Sequence, residues 1–275
     1  MSLPLAPTLP LLDGHRIPQL GFGLYKVPAA DTRRLALDAI DAGYRHLDTA
    51  AFYGNERETG EAVRDAPVPR DELFVTSKVW KDDNGYDQTL RAFDDSMTRL
   101  GLDRLDLYLI HWPVPSTDRY VDTWRALVRL RDEGRVRSIG VANFHPRHIE
   151  RIIGETGVAP VLDQVELHPW LPQHDVRAFD AERGILTESW SPLARGRVLA
   201  DPTLARIAAA HGRTPAQVVL RWHVQQGLVV IPKASSPERI RENLDVFGFE
   251  LGADDLAAIA ALETGERTGR DPDLD

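Results

Sequence analysis

Four ionisable side chains stand near the ends of short apolar runs, and together they could transfer a proton. They are Asp48, Tyr53, Lys78 and His111. An ammonium beside a phenol lowers the phenol pKa from its ordinary value of about 10, because it favours the phenolate. A carboxylate can keep that ammonium charged and in place, and a histidine can orient a substrate oxygen. The set is typical of chemistry that protonates a developing alkoxide.

These residues can meet only if the fold brings several strand ends together. A glycine followed by a short apolar run recurs along the chain, and amphipathic helices lie between the runs. A glycine after a helix supplies the left-handed C′ position, and each run has the length of a buried strand. We count eight strand and helix units, which predict an α/β fold, a (β/α)8 barrel, as one domain over residues 1–275. Active sites of such barrels lie at the carboxyl ends of the strands, where the four residues are expected.

Two local predictions accompany the barrel. The clearest helix is predicted within residues 86–101, where Gly101 closes the segment. The Asp-Gly turn within residues 11–20 predicts a β-hairpin outside the barrel. The apolar residues that recur at helical spacing in the helix, and that we interpret as core, are Leu90, Phe93, Met97 and Leu100.

Composition restricts the partners and the compartment. The formal charge of −9 argues against a nucleic-acid backbone or an anionic membrane as partner. The absence of cysteine excludes disulfides and thiolate chemistry. The first residues are broken by prolines and lack a basic region, so they do not read as a signal peptide, and no apolar run is long enough to span a bilayer. We expect a cytoplasmic monomer.

A second group of residues could bind a phosphate. Lys233 follows the last apolar run, Ser235 and Ser236 can cap the next helix, and Arg239 lies one turn further along. Cations at a helix N-terminus make an anion site, and barrels often bind phosphate after the eighth strand. The alternative is a solvated basic loop with an ordinary serine cap. GFGLYK is not a Rossmann fingerprint, because Lys26 stands at the third glycine position.

The chain resembles the aldo-keto reductases. The motifs that occur in that family's order are GFGLYK, YRHLDTAAFYGNE, VTSKVW, LDLYLIHWP, RSIGVANF, QVELHP, SWSPL and IPKASSPERIRENLDVF. The chain looks closest to the bacterial branch that includes 2,5-diketo-D-gluconate reductases and methylglyoxal reductases. The resemblance implies hydride transfer from NADPH to a small carbonyl compound, giving an alcohol. It implies that Asp48, Tyr53, Lys78 and His111 are the catalytic tetrad, with Tyr53 as general acid and His111 orienting the carbonyl.

The resemblance also implies binding residues. Asn143 and Gln164 would hold the nicotinamide carboxamide, Trp190 would stack on its ring, and the phosphate group would bind the 2′-phosphate of NADPH. The implied substrate pocket is lined by Tyr25, Trp80 and Trp112. The implied cofactor contacts are Gly23, Leu24, Asn143, Gln164, Trp190, Ser191, Leu193, Lys233, Ser235, Ser236, Arg239 and Asn243.

Two residues depart from the family pattern. Ala142 and Ala234 stand where relatives carry serines, and each removes one hydroxyl contact to the cofactor. The preference for NADPH over NADH is therefore expected to be weaker than in relatives, and the use of both cofactors stays open.

Two rival functions belong to other classes. A nucleotide sensor with little turnover would not need the intact tetrad. A metal-dependent hydrolase would need a ligand set. His145 and His148 have i, i+3 spacing but no nearby carboxylate in the sequence, so we interpret them as the start of a surface helix and predict no metal site.

Overall fold

The computed structural model describes residues 5–274, and its first elements form a hairpin outside the barrel, as predicted. The two antiparallel strands are β1 (Thr8–Pro10) and β2 (Arg16–Pro18). Leu11 and Ile17 are buried in one cluster with Leu107 from the barrel. The hairpin therefore packs on the barrel through apolar side chains that would otherwise be exposed to water.

Eight parallel strands follow, and each pairs with the next in chain order. The first and last strands are joined by a parallel bridge between Leu20 and Val230, and the Gly21 N–H donates to the Val230 carbonyl at 2.9 Å. These bonds close the sheet, which confirms the predicted (β/α)8 barrel. The strands are β3 (Phe22–Gly23), β4 (His46–Asp48), β5 (Phe74–Val79), β6 (Leu105–Ile110), β7 (Val136–Ala142), β8 (Leu162–Glu166), β9 (Leu186–Trp190) and β10 (Val229–Val230).

Helices connect successive strands and surround the barrel. Among the described residues, no helix is both long and apolar enough to cross a membrane. The helices are α1 (Ala29–Ala42), α2 (Glu56–Asp65), α3 (Tyr86–Leu100), α4 (Tyr120–Asp132), α5 (Pro146–Thr156), α6 (His174–Glu182), α7 (Pro202–His211), α8 (Pro215–Gln225), α9 (Pro237–Leu244) and α10 (Ala253–Ala260).

Helix α3 forms where the apolar spacing predicts it. Phe93 and Leu100 are fully buried in the core between sheet and helices, and Leu90 and Met97 pack partly buried against it. Fully burying a side chain such as Phe93 stabilises the fold by about 1.5–3 kcal/mol. Gly101 ends the helix in the left-handed conformation at φ 61°, and its N–H donates to the Met97 carbonyl. The apolar residues therefore fix which face of α3 is buried, and Gly101 fixes where the helix ends.

Helix α2 follows the loop that carries Tyr53, and one glycine sets its distance from α3. A Cβ atom on Gly60 would lie 1.8 Å from the carbonyl oxygen of Leu100. Any larger residue would push the two helices apart. The glycine therefore allows α2 to pack directly against the C-terminal end of α3.

The barrel interior is polar below the strand ends. Asp48 on β4 contacts Gln164 on β8, and these strands are not neighbours, so the contact crosses the interior. His46, Lys78 and Glu188 are fully buried as well. Buried polar groups are costly unless they are paired. This concentration of them marks the site described next.

Candidate active site

The four predicted catalytic residues lie together at the carboxyl ends of neighbouring strands. Asp48 ends β4, Lys78 is the next-to-last residue of β5, and His111 follows β6 directly. Tyr53 comes from a single 3-10 turn, Ala51–Tyr53, in the loop after β4. The structure thus brings together all four side chains that the sequence assigns to one site.

The ammonium of Lys78 joins this group. Its Nζ atom donates to both carboxylate oxygens of Asp48, at 2.7 and 2.8 Å, and to the Thr49 carbonyl at 3.0 Å. The hydroxyl oxygen of Tyr53 lies 3.2 Å away. Lys78 and Asp48 are both buried. Two buried charges persist only when each has a close counter-charge and satisfied hydrogen bonds. The ion pair therefore holds the ammonium against the phenol.

The phenol of Tyr53 is a weaker acid than the sequence predicts. Desolvation of its hydroxyl and the charge of Asp48 raise the pKa of Tyr53 well above 10. The predicted lowering of the Tyr53 pKa is wrong for this chain, because desolvation of the hydroxyl is the largest effect and Asp48 also repels a phenolate. Tyr53 is consequently protonated at neutral pH. It can still protonate an alkoxide, which is a stronger base than a phenolate.

His111 is neutral at neutral pH. Burial and the nearby Lys78 charge lower the pKa of His111 well below 6.5. Its ring stands edge-on to the rings of Tyr53 and Trp80, at centroid distances of 5.6 and 5.1 Å. A neutral imidazole donates from one nitrogen only. His111 can therefore offer one N–H to a substrate oxygen beside the phenol.

Aromatic side chains border the tetrad, and the sequence analysis missed one of them. The Phe52 ring stacks on Trp80 at 3.8 Å, and half of Phe52 is exposed. Tyr25 lies 5.0 Å from the Tyr53 ring. Trp112 is half-buried, with its carbonyl accepting from an asparagine side chain, and its place in a substrate pocket stays a prediction. The position of Phe52, next to Tyr53 in a strand-end loop, was the available signal.

A cavity of about 540 Å³ borders Phe52 and Trp80. Its other lining residues are mainly charged, and none of them belongs to the tetrad. The cavity therefore does not mark the place where a carbonyl group would meet Tyr53, and the aromatic rim beside the tetrad is the better guide.

Two amide side chains and an indole lie beside the tetrad. Asn143 Nδ2 donates to the His111 carbonyl at 2.9 Å, and Trp190 Nε1 donates to Asn143 Oδ1 at 2.9 Å. Gln164 Nε2 donates to Asp48 Oδ2 at 2.9 Å. Asn143 has the left-handed backbone conformation, with φ at 61°. Such strain in a residue other than glycine is common at functional sites. The structure places Asn143, Gln164 and Trp190 in one connected group with the tetrad.

Glu188 is a second functional candidate that the sequence analysis missed. It is fully buried on β9, and its Oε2 atom accepts from Gln164 Nε2 at 2.8 Å. Burial, then the charge of Asp48, raises the pKa of Glu188 to about 8. Its Oε1 atom lies 3.8 Å from His46 Nδ1, and neither atom has a hydrogen-bond partner among the described residues. An acid inside an apolar run, in LTESW, was the signal available.

The predicted phosphate residues gather at the start of α9. Ser236 is its N-cap, and its hydroxyl accepts from the Arg239 N–H at 3.4 Å. Lys233 and Arg239 are exposed, and neither forms a salt bridge within residues 5–274. Asn243 is buried on the inner side of the helix. The chain therefore presents two cations without a salt-bridge partner among the described residues beside the N-terminus of α9.

The remaining predicted cofactor residues lie at neighbouring strand ends. Gly23 and Leu24 lie at the end of β3, and the Leu24 N–H donates to the Asp48 carbonyl at 2.9 Å. Ser191 and Leu193 follow β9, and Ser191 has a left-handed φ of 49°. Ser235 is exposed before α9, and the two departures from the family pattern, Ala142 and Ala234, are buried.

Helix α5 begins with His145 as its N-cap, which confirms the predicted helix start, but the surface position is wrong for His148, and carboxylates distant in the sequence lie near His145. His148 is buried, and Asp271 and Asp273 from the C-terminal segment lie 3.6 Å from His145 Nε2. Arg147 already pairs with Asp273 at 2.5 Å. His148 Nδ1 accepts the His145 N–H at 3.1 Å, so a neutral His148 carries its proton on Nε2, the other possible ligand atom. These contacts attach the C-terminal segment, through Asp271 and Asp273, to the start of α5.

The C-terminal segment also reaches the active-site face. Glu166, at the end of β8, accepts from the Thr268 N–H at 2.6 Å and the Gly269 N–H at 3.0 Å. A Cβ atom on Gly269 would lie 2.4 Å from the Trp190 ring. The segment therefore packs directly against the indole, and only glycine fits there.

Known proteins are similar to the chain over nearly its whole length. The model of the Aldo/keto reductase family matches residues 19–264. An aldo-keto reductase of Mycolicibacterium smegmatis is 55% identical over 268 residues, which cover 98% of each chain. Methylglyoxal reductase DkgA of Yersinia pestis is 47% identical over 272 residues, again 98% of each chain. The crystal structure of a Gox0644 mutant in complex with NADPH matches with a TM-score of 0.95 and 48% identity, covering 99% of both chains.

Proposed function

Because the chain belongs to the aldo/keto reductase family, we propose that it is an NADPH-dependent reductase that converts aldehydes or ketones into alcohols. The observation that carries this proposal is the contact between Lys78 and Tyr53, with Asp48 holding the ammonium and a neutral His111 beside the phenol. A protein that only sensed nucleotides would have no need of a buried proton donor supported in this way.

The chain's own residues supply the proton chemistry. When bound, the reduced nicotinamide supplies a hydride to the carbonyl carbon. Tyr53 donates its hydroxyl proton to the carbonyl oxygen as negative charge develops there, and Lys78 stabilises the phenolate left behind. His111 donates a hydrogen bond to the same oxygen and orients it toward Tyr53. Asp48 keeps Lys78 in place, and the phenolate regains its proton from solvent after turnover.

The start of α9 fits a phosphorylated nucleotide. Lys233 and Arg239 are exposed without a carboxylate partner among the described residues, and they lie beside the N-terminus of α9, where the Ser236 hydroxyl caps the Arg239 N–H. Such a set favours a dianionic phosphate over a ribose hydroxyl. We therefore favour NADPH over NADH. Because Ala142 and Ala234 lack the hydroxyl groups of relatives, the preference is expected to be moderate.

Asn143, Gln164 and Trp190 would hold the nicotinamide end. They form one hydrogen-bonded group that includes Asp48 and His111. A ligand held there would lie next to Tyr53. This arrangement fits the need to hold the hydride donor close to the proton donor.

The substrate class follows from the relatives and the rim. The name of one relative, methylglyoxal reductase, leads us to propose small α-dicarbonyl compounds as the first substrate class of this chain. Keto sugars are the second class. Tyr25, Phe52 and Trp80 give the cleft an aromatic rim above a polar base, which suits a small ligand with one reactive polar end.

The test is an NADPH-oxidation assay against aldehydes, ketoses, α-dicarbonyls and diketo sugar acids. We expect turnover with at least one α-dicarbonyl and slower turnover when NADH replaces NADPH. NADPH binding without turnover of any compound in the panel would contradict the proposal and favour the sensor.

A further inference from the structure

The amide of Gln164 is held between two carboxyl groups inside the barrel. Its Nε2 atom donates to Asp48 Oδ2 at 2.9 Å and to Glu188 Oε2 at 2.8 Å. An amide nitrogen has two hydrogens, so both are used. A flipped amide would turn its oxygen toward the Asp48 carboxylate. The two carboxyl groups therefore fix one orientation, in which only the amide oxygen is left for a ligand.

We propose that Glu188 is a positioning residue for carbonyl reduction, acting as a neutral carboxylic acid that holds the Gln164 amide beside Asp48. The inference rests on the proposed function, since Gln164 matters only if it contacts the cofactor. Glu188 lies directly opposite Gln164 in the β8–β9 pairing, so its reach is set by the sheet register.

Hydrogen bonding explains why the neutral form fits. Oε2 accepts from Gln164, so we place the acid proton on Oε1, which has no other partner among the described residues and lies 3.8 Å from His46 Nδ1. His46 Nε2 lies 3.1 Å from Thr76 Oγ1. If Nε2 donates to that hydroxyl, Nδ1 is an acceptor for the proton on Glu188, although the Pro18 carbonyl also approaches the His46 ring. If Glu188 Oε1 and His46 Nδ1 moved slightly closer together, a hydrogen bond between them would give each atom a partner.

The surrounding charges favour the same form. Asp48 is neutralised by Lys78 at 2.7 Å, whereas no cation lies within salt-bridge distance of Glu188 among the described residues. The residue paired with Glu188 on β10 is Val229, which brings no charge. Burial and Asp48 raise the pKa of Glu188 to about 8, and His46 is neutral because burial and Lys78 lower its pKa to about 3.

Ionisation of Glu188 would weaken the proton donor. A second negative charge inside the barrel would repel the Asp48 carboxylate, and Glu188 is among the charges that raise the pKa of Tyr53. Turnover should therefore fall as the pH rises through the titration of Glu188. The titratable groups around Glu188 are Asp48, Lys78, His46 and Tyr53; the pKa of His46 is lowered to about 3 and that of Tyr53 is raised well above 10, so neither of these two changes charge near pH 8.

Two substitutions separate positioning from packing. Glu188→Gln keeps an acceptor oxygen for Gln164 and places an N–H where the acid proton was, so it mimics the neutral acid. Glu188→Leu keeps the volume and removes the hydrogen bond. The control is Asp163→Asn, which removes a buried acid on the other face of β8. For each protein we would measure kcat and KM for NADPH and substrate from pH 6 to 10, and NADPH affinity by fluorescence.

We expect Glu188→Gln to keep kcat at pH 7 within about twofold and to lack the alkaline decline of the parent. Glu188→Leu should lose about tenfold in kcat/KM for NADPH at pH 7. An alkaline decline unchanged in Glu188→Gln, or parental kinetics in Glu188→Leu, would overturn the inference.

A readout without turnover separates this inference from the proposed function. In the absence of cofactor, the free energy of unfolding of the parent should fall relative to Glu188→Gln from about pH 4.5 to pH 8, because only the folded parent keeps the proton there. If no compound is reduced, the proposed function fails. NADPH binding weakened in Glu188→Leu but not in Glu188→Gln would still support the positioning of Gln164, and equal binding in both would refute it.

Discussion

The Nζ atom of Lys78 lies 3.2 Å from the hydroxyl oxygen of Tyr53, within hydrogen-bonding distance, while it is also bonded to Asp48. The ammonium of Lys78 thus contacts both a carboxylate and a phenol. The carboxylate keeps the ammonium buried and charged, and the phenol needs it only when it becomes a phenolate. This relationship predicts that the loss of Lys78 affects both catalysis and stability.

Lys78→Met should lower both the stability and the turnover of the protein. It leaves the Asp48 carboxylate buried without its counter-charge, which typically costs about 3–5 kcal/mol in the free energy of unfolding. It also removes the charge that stabilises the Tyr53 phenolate, so kcat should fall. Urea unfolding and steady-state kinetics measure the two effects. Lys81→Met, outside the tetrad, is the control; a Lys78→Met protein as stable and active as this control would contradict the prediction.

Arg239→Ala should narrow the difference in affinity between NADPH and NADH. A charge-assisted hydrogen bond to the 2′-phosphate contributes about 1.5–3 kcal/mol, and only NADPH carries that phosphate. Arg241→Ala is the matched control, because Arg241 lies exposed on the same helix in its last turn. Fluorescence titration with both cofactors gives the ratio. Equal affinity of the parent for NADPH and NADH would rule out the assigned phosphate site.

The tetrad and the barrel could be predicted because they depend on local patterns. Glycine stops and short apolar runs define the strands, and the carboxyl ends of parallel strands meet on one face. The contact of Gln164 with Glu188 could not be predicted, because it depends on strand register inside the barrel. The raised pKa of Tyr53 depends first on how deeply its hydroxyl is buried and then on the nearby Asp48 charge, and only the folded structure reveals both.

The C-terminal contacts show the same limit. Asp271 reaches His145 only because the chain returns across the active-site face after α10. No periodicity in the sequence encodes that return. Residue spacing therefore predicted the helix start at His145 but not the contacts that the C-terminal segment makes with it.

Chelation should leave the reduction rate unchanged. The aspartates near His145 already pair with arginines, Asp271 with Arg267 and Asp273 with Arg147, and the proposed chemistry draws its proton from Tyr53. Dialysis of the protein against a chelator, followed by the NADPH-oxidation assay, checks this. A loss of activity that added zinc restores would show that a metal takes part.

Asp180→Asn should make the stability of the protein less dependent on pH. Burial raises the pKa of Asp180 to about 7 and that of Asp163 well above its ordinary value. A folded-state pKa above the unfolded value of about 3.8 means that the folded state holds an extra proton between these values, so stability falls as the pH rises toward 7. The variant should therefore gain up to about 4 kcal/mol relative to the parent from pH 4 to 7.5.

Urea unfolding at several pH values measures this gain, which appears in full only if the introduced amide keeps the hydrogen bond with Thr187 that Asp180 makes. Asp175→Asn on the exposed side of the same helix is the control and should follow the parent. Parallel pH curves for the parent and Asp180→Asn would contradict the assignment.

Tyr53→Phe separates a reductase from a nucleotide sensor most directly. The substitution keeps the ring beside Tyr25 and His111 and removes only the hydroxyl that Lys78 contacts. General acid catalysis typically contributes about 10²–10⁴-fold, so kcat should fall by at least about a hundredfold. NADPH affinity should stay near the parental value, because the phosphate residues lie on a different part of the barrel face. Tyr86→Phe, which removes a hydroxyl on α3 that Arg129 contacts, is the matched control and should keep most of the parental kcat. Parental turnover in Tyr53→Phe would refute the assigned proton donor.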